Sequence, residues 1–367
     1  MSSNALVITG IGMASSLGPA IGACAAARAG VTRTAPLDLV VGGPDTEVPL
    51  PVTGHPCPWV EGFTGVGRLV ALLNLAIEDL VGGTSLPPGQ LPLLLEAPSV
   101  EERPGLQEQL DEEWEEVPGD LEGRLGEGLS LTQGSSGWGW ALQVTQRGHA
   151  GGLALLRAAQ ELLRSGRHEA CVIGGVDSLM DLLTQEWLYA TRQLKHPNHP
   201  VGLMPGEGAA VVLIERAAHA RKRGAKVLAE VGPVSLQDEE YSLSDEGVFP
   251  HGRALASAIR DVVRASPLGA RNVSVIFHDL NGQVVRAMEW GNTLIHLAGE
   301  LEMLREARRW MPAASFGDVG SASGAFSLCM ATQAFARGYA QGTEVLLCNS
   351  SESGLRGAAI LSAPRDT

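Results

Sequence analysis

The chain is poor in aromatic side chains. Phe, Trp and Tyr together make up 4% of its 367 residues, so its core has to be built from Leu, Val, Ile and Ala. Basic residues are also in deficit: 27 Lys and Arg stand against 41 Asp and Glu, a formal net charge of −14. Phosphate backbones are gripped by Lys and Arg, so this balance argues against a nucleic-acid partner. No run of 18 apolar residues occurs, so no membrane-spanning helix is expected. Cysteine is sparse and unpatterned. The five residues Cys24, Cys57, Cys171, Cys329 and Cys348 include no CxxC pair and are odd in number. That argues against a disulfide framework or a Cys-based zinc site and for a reducing compartment. No charged segment with a cleavable apolar core precedes the first apolar stretch at 5–8, and a cytoplasmic location is expected.

What the chain has in abundance is glycine, 46 residues, which implies many tight turns and close backbone approaches. Its length suits two domains or two fused halves better than one core. Acidic charge is concentrated at 101–127, where eleven Asp/Glu and two Arg leave a local net charge of −9. Such a run is ordinarily a solvated surface insertion, and the alternative is a docking surface for a basic partner. It falls within 83–128, a Pro-, Gly- and Glu-rich stretch that reads as an elaborated loop region. Residues 5–8 read as a buried strand. At 68–80, Leu69, Leu72, Leu73, Ala76, Ile77 and Leu80 recur at helical spacing.

Two blocks copy each other. Gly152 opens an apolar helix that closes at Gly166, followed by an apolar strand at 170–173. Gly324 opens another that closes at Gly338, followed by a strand at 345–348. Both helices span fourteen residues from glycine to glycine. The first half of the earlier helix is apolar nearly all round, which marks a buried helix. The long period indicates a duplicated α/β half and not a solenoid. The boundary is placed at 217/218, giving halves 1–217 and 218–367.

These blocks, with VITGIGMASSLG at 7–18, GLMPGEGAAVVLIE at 202–215 and NSSESGLRGAAIL at 349–361, resemble the β-ketoacyl synthases in order and spacing. The likeness spans nearly the whole chain and is thinnest at 33–130. It implies an α/β, thiolase-like, five-layered αβαβα fold of two pseudo-symmetric halves with mixed sheets, normally an obligate dimer. The strand at 141–145, after Trp138 and Trp140, then pairs across the dimer twofold. The chain departs from the family at its reactive positions. The family's nucleophilic cysteine falls on His149, at the mouth of the buried helix. Its first catalytic histidine falls on His278, supported by the spacing to Glu289. Its second falls on Asp318, its lysine on Ala313 and its gating phenylalanine on Ser353. Gly148 and Gly151 at the helix mouth, with Ser353, Gly354 and Arg356 in the closing loop, are the candidate substrate-binding or oxyanion positions.

Claisen condensation needs an acyl group stored on a thiolate at a helix N-terminus, with backbone donors for the oxyanion. Without the thiol, ordinary condensation is not expected. His149 can then be a structural residue, a general base kept neutral by the helix N-terminus, or a ligand in a His149–His278–Asp318 metal set. Asp318 can equally cap a loop amide, and the turn His278-Asp279-Leu280-Asn281-Gly282 needs no chemistry to explain it. His196 and His199 have ligand-like spacing but are separated by proline. Arg356 is a candidate anchor for a phosphate or carboxylate. No cofactor and no metal are expected. The leading expectation is a β-ketoacyl synthase-like subunit that binds an acyl thioester or a partner synthase, as chain-length factors do. It would be a homodimer or a heterodimer with a ketosynthase, with acyl carrier protein or acyl-CoA as further candidate partners. The acidic charge works against an acidic carrier. The alternatives are a hydrolase, decarboxylase or acyltransferase using His149 and His278, or a purely structural dimer.

Overall fold

The computed structural model describes residues 5–42, 49–100, 103, 120–132, 138–245, 247–267, 273–301 and 303–365. Most of the acidic stretch, at 101–102 and 104–119, lies outside the described residues. The strands are β1 (Leu6–Ser15), β2 (Ala35–Gly42), β3 (Pro49–Gly54), β4 (Gly89–Glu96), β5 (Trp138–Thr145), β6 (Ala170–Ser178), β7 (Glu207–Arg216), β8 (Ala229–Asp238), β9 (Val273–His278), β10 (Arg308–Trp310), β11 (Glu344–Ser350) and β12 (Leu355–Ser362). The helices are α1 (Ala20–Arg28), α2 (Gly65–Gly83), α3 (Leu121–Thr132), α4 (Gly151–Arg164), α5 (Leu182–Ala190), α6 (Ala217–Lys222), α7 (Arg253–Ala265), α8 (Val284–Leu297), α9 (Met303–Glu306), α10 (Ala313–Phe316) and α11 (Ser323–Ala336).

The duplication inferred from the glycine spacing is visible in the sheet. Outward from a β1–β8 junction the strand order is β1-β7-β6-β4-β5 on one side and β8-β12-β11-β9-β10 on the other. Both runs go antiparallel, antiparallel, parallel, parallel. The junction itself is short, from Leu6 opposite Val231 to Ile8 opposite Ala229. Hydrogen bonding therefore links the mixed sheets of the two halves into one ten-stranded sheet. The chain passes from one half to the other through α6, which begins at residue 217.

Side-chain alternation along the strands sorts the core into layers. On β11, Leu347 packs centrally with Phe277, Val212, Leu153 and Phe326, while Leu346 and Cys348 pack outward with Ile259 and Trp290. On the other half, Leu93, Leu95 and Val211 pack outward with Leu72, Leu73 and Leu80 of α2. The layers are thus α2 with α3, the first strand set, α4 with α11, the second strand set, and α7 with α8. From Ser323 to Gln333 and Ala334, α11 is buried on every face. Each fully buried Leu or Phe there contributes about 1.5–3 kcal/mol relative to exposure. By contrast, Arg157 and Glu161 on α4 reach the surface.

The two central helices cross at their glycines. A Cβ on Gly152 would lie 2.9 Å from the Cα of Gly324, and a Cβ on Gly324 equally close to Gly152. That contact explains why both blocks open on glycine. The loop reading of 83–128 needs correction: it holds β4 and the start of α3. Pro92 hides the strand in the sequence, yet it precedes the stretch from Leu93 to Glu96 that pairs with β6, so its missing N–H costs nothing on that side.

Candidate functional site

His149 sits in a short helical turn, Gly148–Ala150, that leads directly into α4. Gly148 has φ 71°, a left-handed conformation that suits glycine and turns the chain sharply after β5. Gly151 has no room for a side chain, because a Cβ would lie 2.1 Å from the carboxyl carbon of Glu96. Glu96 accepts hydrogen bonds from the Thr145 hydroxyl (2.6 Å) and from the backbone N–H of Arg147. It therefore clamps the bend between β5 and the His149 turn. Burial pushes the Glu96 carboxyl up to about 7, partly offset by these donors. Of the two helix-mouth glycines, Gly148 makes the turn and Gly151 makes room for Glu96.

The imidazole of His149 is buried and engaged at both nitrogens. Nε2 lies 2.8 Å from Oδ1 of Asp318, and Nδ1 lies 3.3 Å from a terminal nitrogen of Arg286. A guanidinium only donates, so its bond at Nδ1 uses the ring's lone pair there. The ring proton then sits on Nε2 and is donated to Asp318. Burial and the Arg286 charge both disfavour a second proton, but Asp318 and Asp279 outweigh them and hold the ring above its ordinary pKa. This reverses the expectation that the helix N-terminus keeps the ring basic and free. In either protonation state no lone pair of His149 faces outward. Asp318 is held far below the usual carboxylate range against its own burial, by His149, Arg286 and the N–H of Gly320 at 2.8 Å.

His278 lies elsewhere. Strand alternation turns Phe277 toward the central helices and His278 toward the outer layer. There its ring meets Trp290 edge-on at 4.3 Å, with Asp279 at 3.1 Å. The expected convergence of His149, His278 and Asp318 is thus a pair, His149 with Asp318, and the third place is taken by Arg286. Among the described residues, no group of three His, Cys, Asp or Glu is placed to hold a metal ion. His196 and His199 stack loosely at 5.8 Å beside Tyr189.

Arg286 gathers the site. It donates to Asp279 (3.1 Å), Gln283 (3.0 Å), the Ser350 carbonyl (2.6 Å) and Glu352. The carboxylates of Glu352, Asp279 and Asp318 keep it charged despite its burial. Asp279 is pulled down to about 2, against its burial, by His278 and Arg286. Arg356 is fully buried, 2.7 Å from Glu289 and 2.8 Å from the Ser351 carbonyl. Its guanidinium fastens the closing loop from within. Ser351 links that loop to the turn, accepting from the N–H of Ala150 at 2.9 Å and donating to the Arg147 carbonyl. Ser353 is exposed, and Gly354 (φ 108°) presses against the Glu239 carbonyl, 2.7 Å from where a Cβ would stand.

The space left at His149 is about 50 Å³, lined also by Arg103, Asp177, Gln193, Gln283 and Glu352. That holds only a few water molecules. No thiol lines it. All five cysteines are buried, and burial pushes Cys57 to about 11 and Cys24 and Cys171 to about 12. Sequence reading missed Arg286, Asp279, Glu352, Arg103 and Glu96. The signal for Arg286 was present: Arg286, Glu289, Trp290, Thr293 and Leu297 form one buried stripe of α8.

No protein-family model matches the sequence. The chain is similar to the tetracenomycin polyketide synthase ketoacyl synthase alpha subunit of Streptomyces glaucescens, 30% identical over 128 residues, 32% of this chain and 30% of that one. The matched stretch therefore spans about a third of the length of such curated relatives. Solved structures match over the full length. The ishigamide ketosynthase/chain length factor superposes with a TM-score of 0.75 at 17% identity, covering 98% of this chain and 99% of that one. A type II polyketide ketosynthase bound to a hexaketide, in complex with its acyl-carrier protein, gives 0.79 at 15% identity, covering 98% and 99%. Among the described residues no helix is long and apolar enough to cross a membrane. With its doubled strand order and its paired central helices, the chain has the thiolase-like fold of these ketosynthase and chain-length-factor structures.

Proposed function

We propose that the chain is a chain-length-factor-like subunit that pairs with an active ketosynthase and does not itself condense acyl groups. One observation carries this reading. The helix mouth where relatives are expected to hold a reactive sulfur presents an imidazole whose two nitrogens are engaged by Asp318 and Arg286. Acyl storage requires a nucleophile with a free electron pair, and neither His149 nor any of the buried thiols offers one.

The pairing surface in this reading is β5. It is an outermost strand of the sheet, hydrogen-bonded to β4 on one side. Ala141 and Gln143 on it are exposed. An open strand edge is a template for another strand, and pairing there would put the partner's sheet in line with this one. Glu96 and the His149 turn lie at the end of this strand, so the site and the interface share one rigid corner.

Co-expression with a type II polyketide ketosynthase, followed by size-exclusion chromatography, tests the assignment. The expected result is a stable one-to-one complex, lost when Ala141→Pro removes a strand N–H and introduces a ring at the edge. Failure to pair with any ketosynthase, together with thioester turnover by the chain alone, would overturn it.

A further inference from the structure

The strand edges of this fold are not protected alike. β10 is three residues long and carries Arg308 and Arg309, while β3 opens Pro49-Leu50-Pro51. Short length, charge and proline all discourage further pairing. Beyond β3 the chain stays paired, His55 donating its N–H to the Pro205 carbonyl at 2.8 Å. β2 is different. It runs eight residues, pairs with β3 on one side and, among the described residues, has no strand on the other. Its inward side chains Leu37, Leu39 and Val41 pack with Leu179, Leu188 and Leu194. The open side faces a cleft of about 670 Å³, and the consecutive residues 33–38 all line it. Successive side chains of a strand point to opposite faces. An unbroken run of lining residues therefore means that the backbone edge itself is presented to the cleft.

We propose that β2 takes up an extended segment of a partner protein as a third strand, with apolar side chains at alternate positions and Lys or Arg between them. This is independent of the pairing assigned to β5. In such strand addition the main-chain hydrogen bonds to the open edge supply affinity, and the walls select the side chains. The wall here is apolar: Phe63 and Leu182 are 50% and 45% exposed, beside Pro56, Leu69 and Met180. Charge selects the residues between. Asp38, Glu61 and Asp181 line the cleft with two guanidiniums, but that of Arg68 is already held by both oxygens of Glu207, at 2.6 and 2.7 Å. Only Arg33 then offsets the three carboxylates, so the lining favours a cationic segment. Ser178, which also lines the cleft, donates to Glu207 at 2.8 Å. These polar groups are satisfied within the protein and call for no small polar ligand. At about 3.3 Å per residue, the edge at 33–38 matches a segment of about five or six residues.

The test is titration of the full chain with a fluorescein-labelled peptide, Val-Lys-Val-Lys-Val-Lys amide, read by anisotropy. Amide hydrogen exchange across 33–42 is followed by mass spectrometry with and without the peptide. The native chain is expected to bind saturably, one to one, with slowed exchange across 33–42. The same peptide N-methylated at every residue keeps its charges and side chains but cannot donate along a strand edge; it should bind at least tenfold more weakly. So should the native peptide with the double variant Asp38→Lys, Leu182→Ser, whose changed side chains are both exposed. No saturable binding at millimolar peptide, or unchanged exchange across 33–42 at saturation, would overturn the proposal. Equal affinity for the methylated peptide, or retained affinity in the double variant with native circular dichroism, would do the same.

Discussion

Replacing Glu96 with Gln should change how stability depends on pH in a calculable way. Glu96 is fully buried and its carboxyl titrates near 7, against an ordinary value of 4.5. Between these values the unfolded chain has released this proton and the folded chain still holds it. The folded state binds more protons, so stability falls as pH rises from about 4.5 to about 7. The gap, at about 1.4 kcal/mol per pH unit, amounts to about 3 kcal/mol once pH exceeds 7. Gln keeps an acceptor for the Arg147 N–H and cannot ionise. Chemical denaturation of both proteins between pH 5 and 8 measures the difference. The variant should exceed the native chain by about 1 kcal/mol or less at pH 5 and by up to about 3 kcal/mol at pH 8. His149 and Glu344, also raised, are common to both proteins and cancel. A difference that is flat across this range would refute the argument that Glu96 is held protonated at the corner of β5.

Three further outcomes follow from contacts of the same kind. Gly152→Ala forces a methyl against the Gly324 backbone, which cannot yield as a side chain can; it should cost about 1–3 kcal/mol or more in thermal or denaturant unfolding. Arg356→Met strands Glu289 in the interior and should cost about 3–5 kcal/mol, much of it recovered by adding Glu289→Gln. Asp318→Asn removes the charge that holds the His149 ring above its ordinary pKa, so the ring's titration, followed by nitrogen NMR, should move to lower pH.

Much of the architecture was legible in the sequence because it rests on local patterns. The glycine-to-glycine length of both central helices follows from their crossing at Gly152 and Gly324, and the apolar strands after them follow from burial on both faces. The 83–128 region was misread where Pro92, with Pro87 and Pro88 just before it, concealed β4. The site was harder. His149 and Asp318 were named by alignment with a family pattern, and they do meet. His278 was misplaced because strand parity, which a one-residue offset reverses, decides which layer a side chain enters. Arg286 went unnoticed because a lone arginine in a helix ordinarily faces water. Only its helical phase with Glu289 and Trp290 betrays its burial. Arg103 could not be distinguished from its acidic neighbours, since its partner Asp177 lies 74 positions away in the chain.

The deciding property is whether the imidazole at the mouth of α4 can take up an acyl group. Intact-mass spectrometry of the chain alone, after incubation with hexanoyl and malonyl thioesters at neutral pH, reads this directly. The expected spectrum shows the unmodified mass and no release of carbon dioxide from the malonyl donor. A covalent acyl adduct that maps to His149 and vanishes in His149→Ala would contradict it.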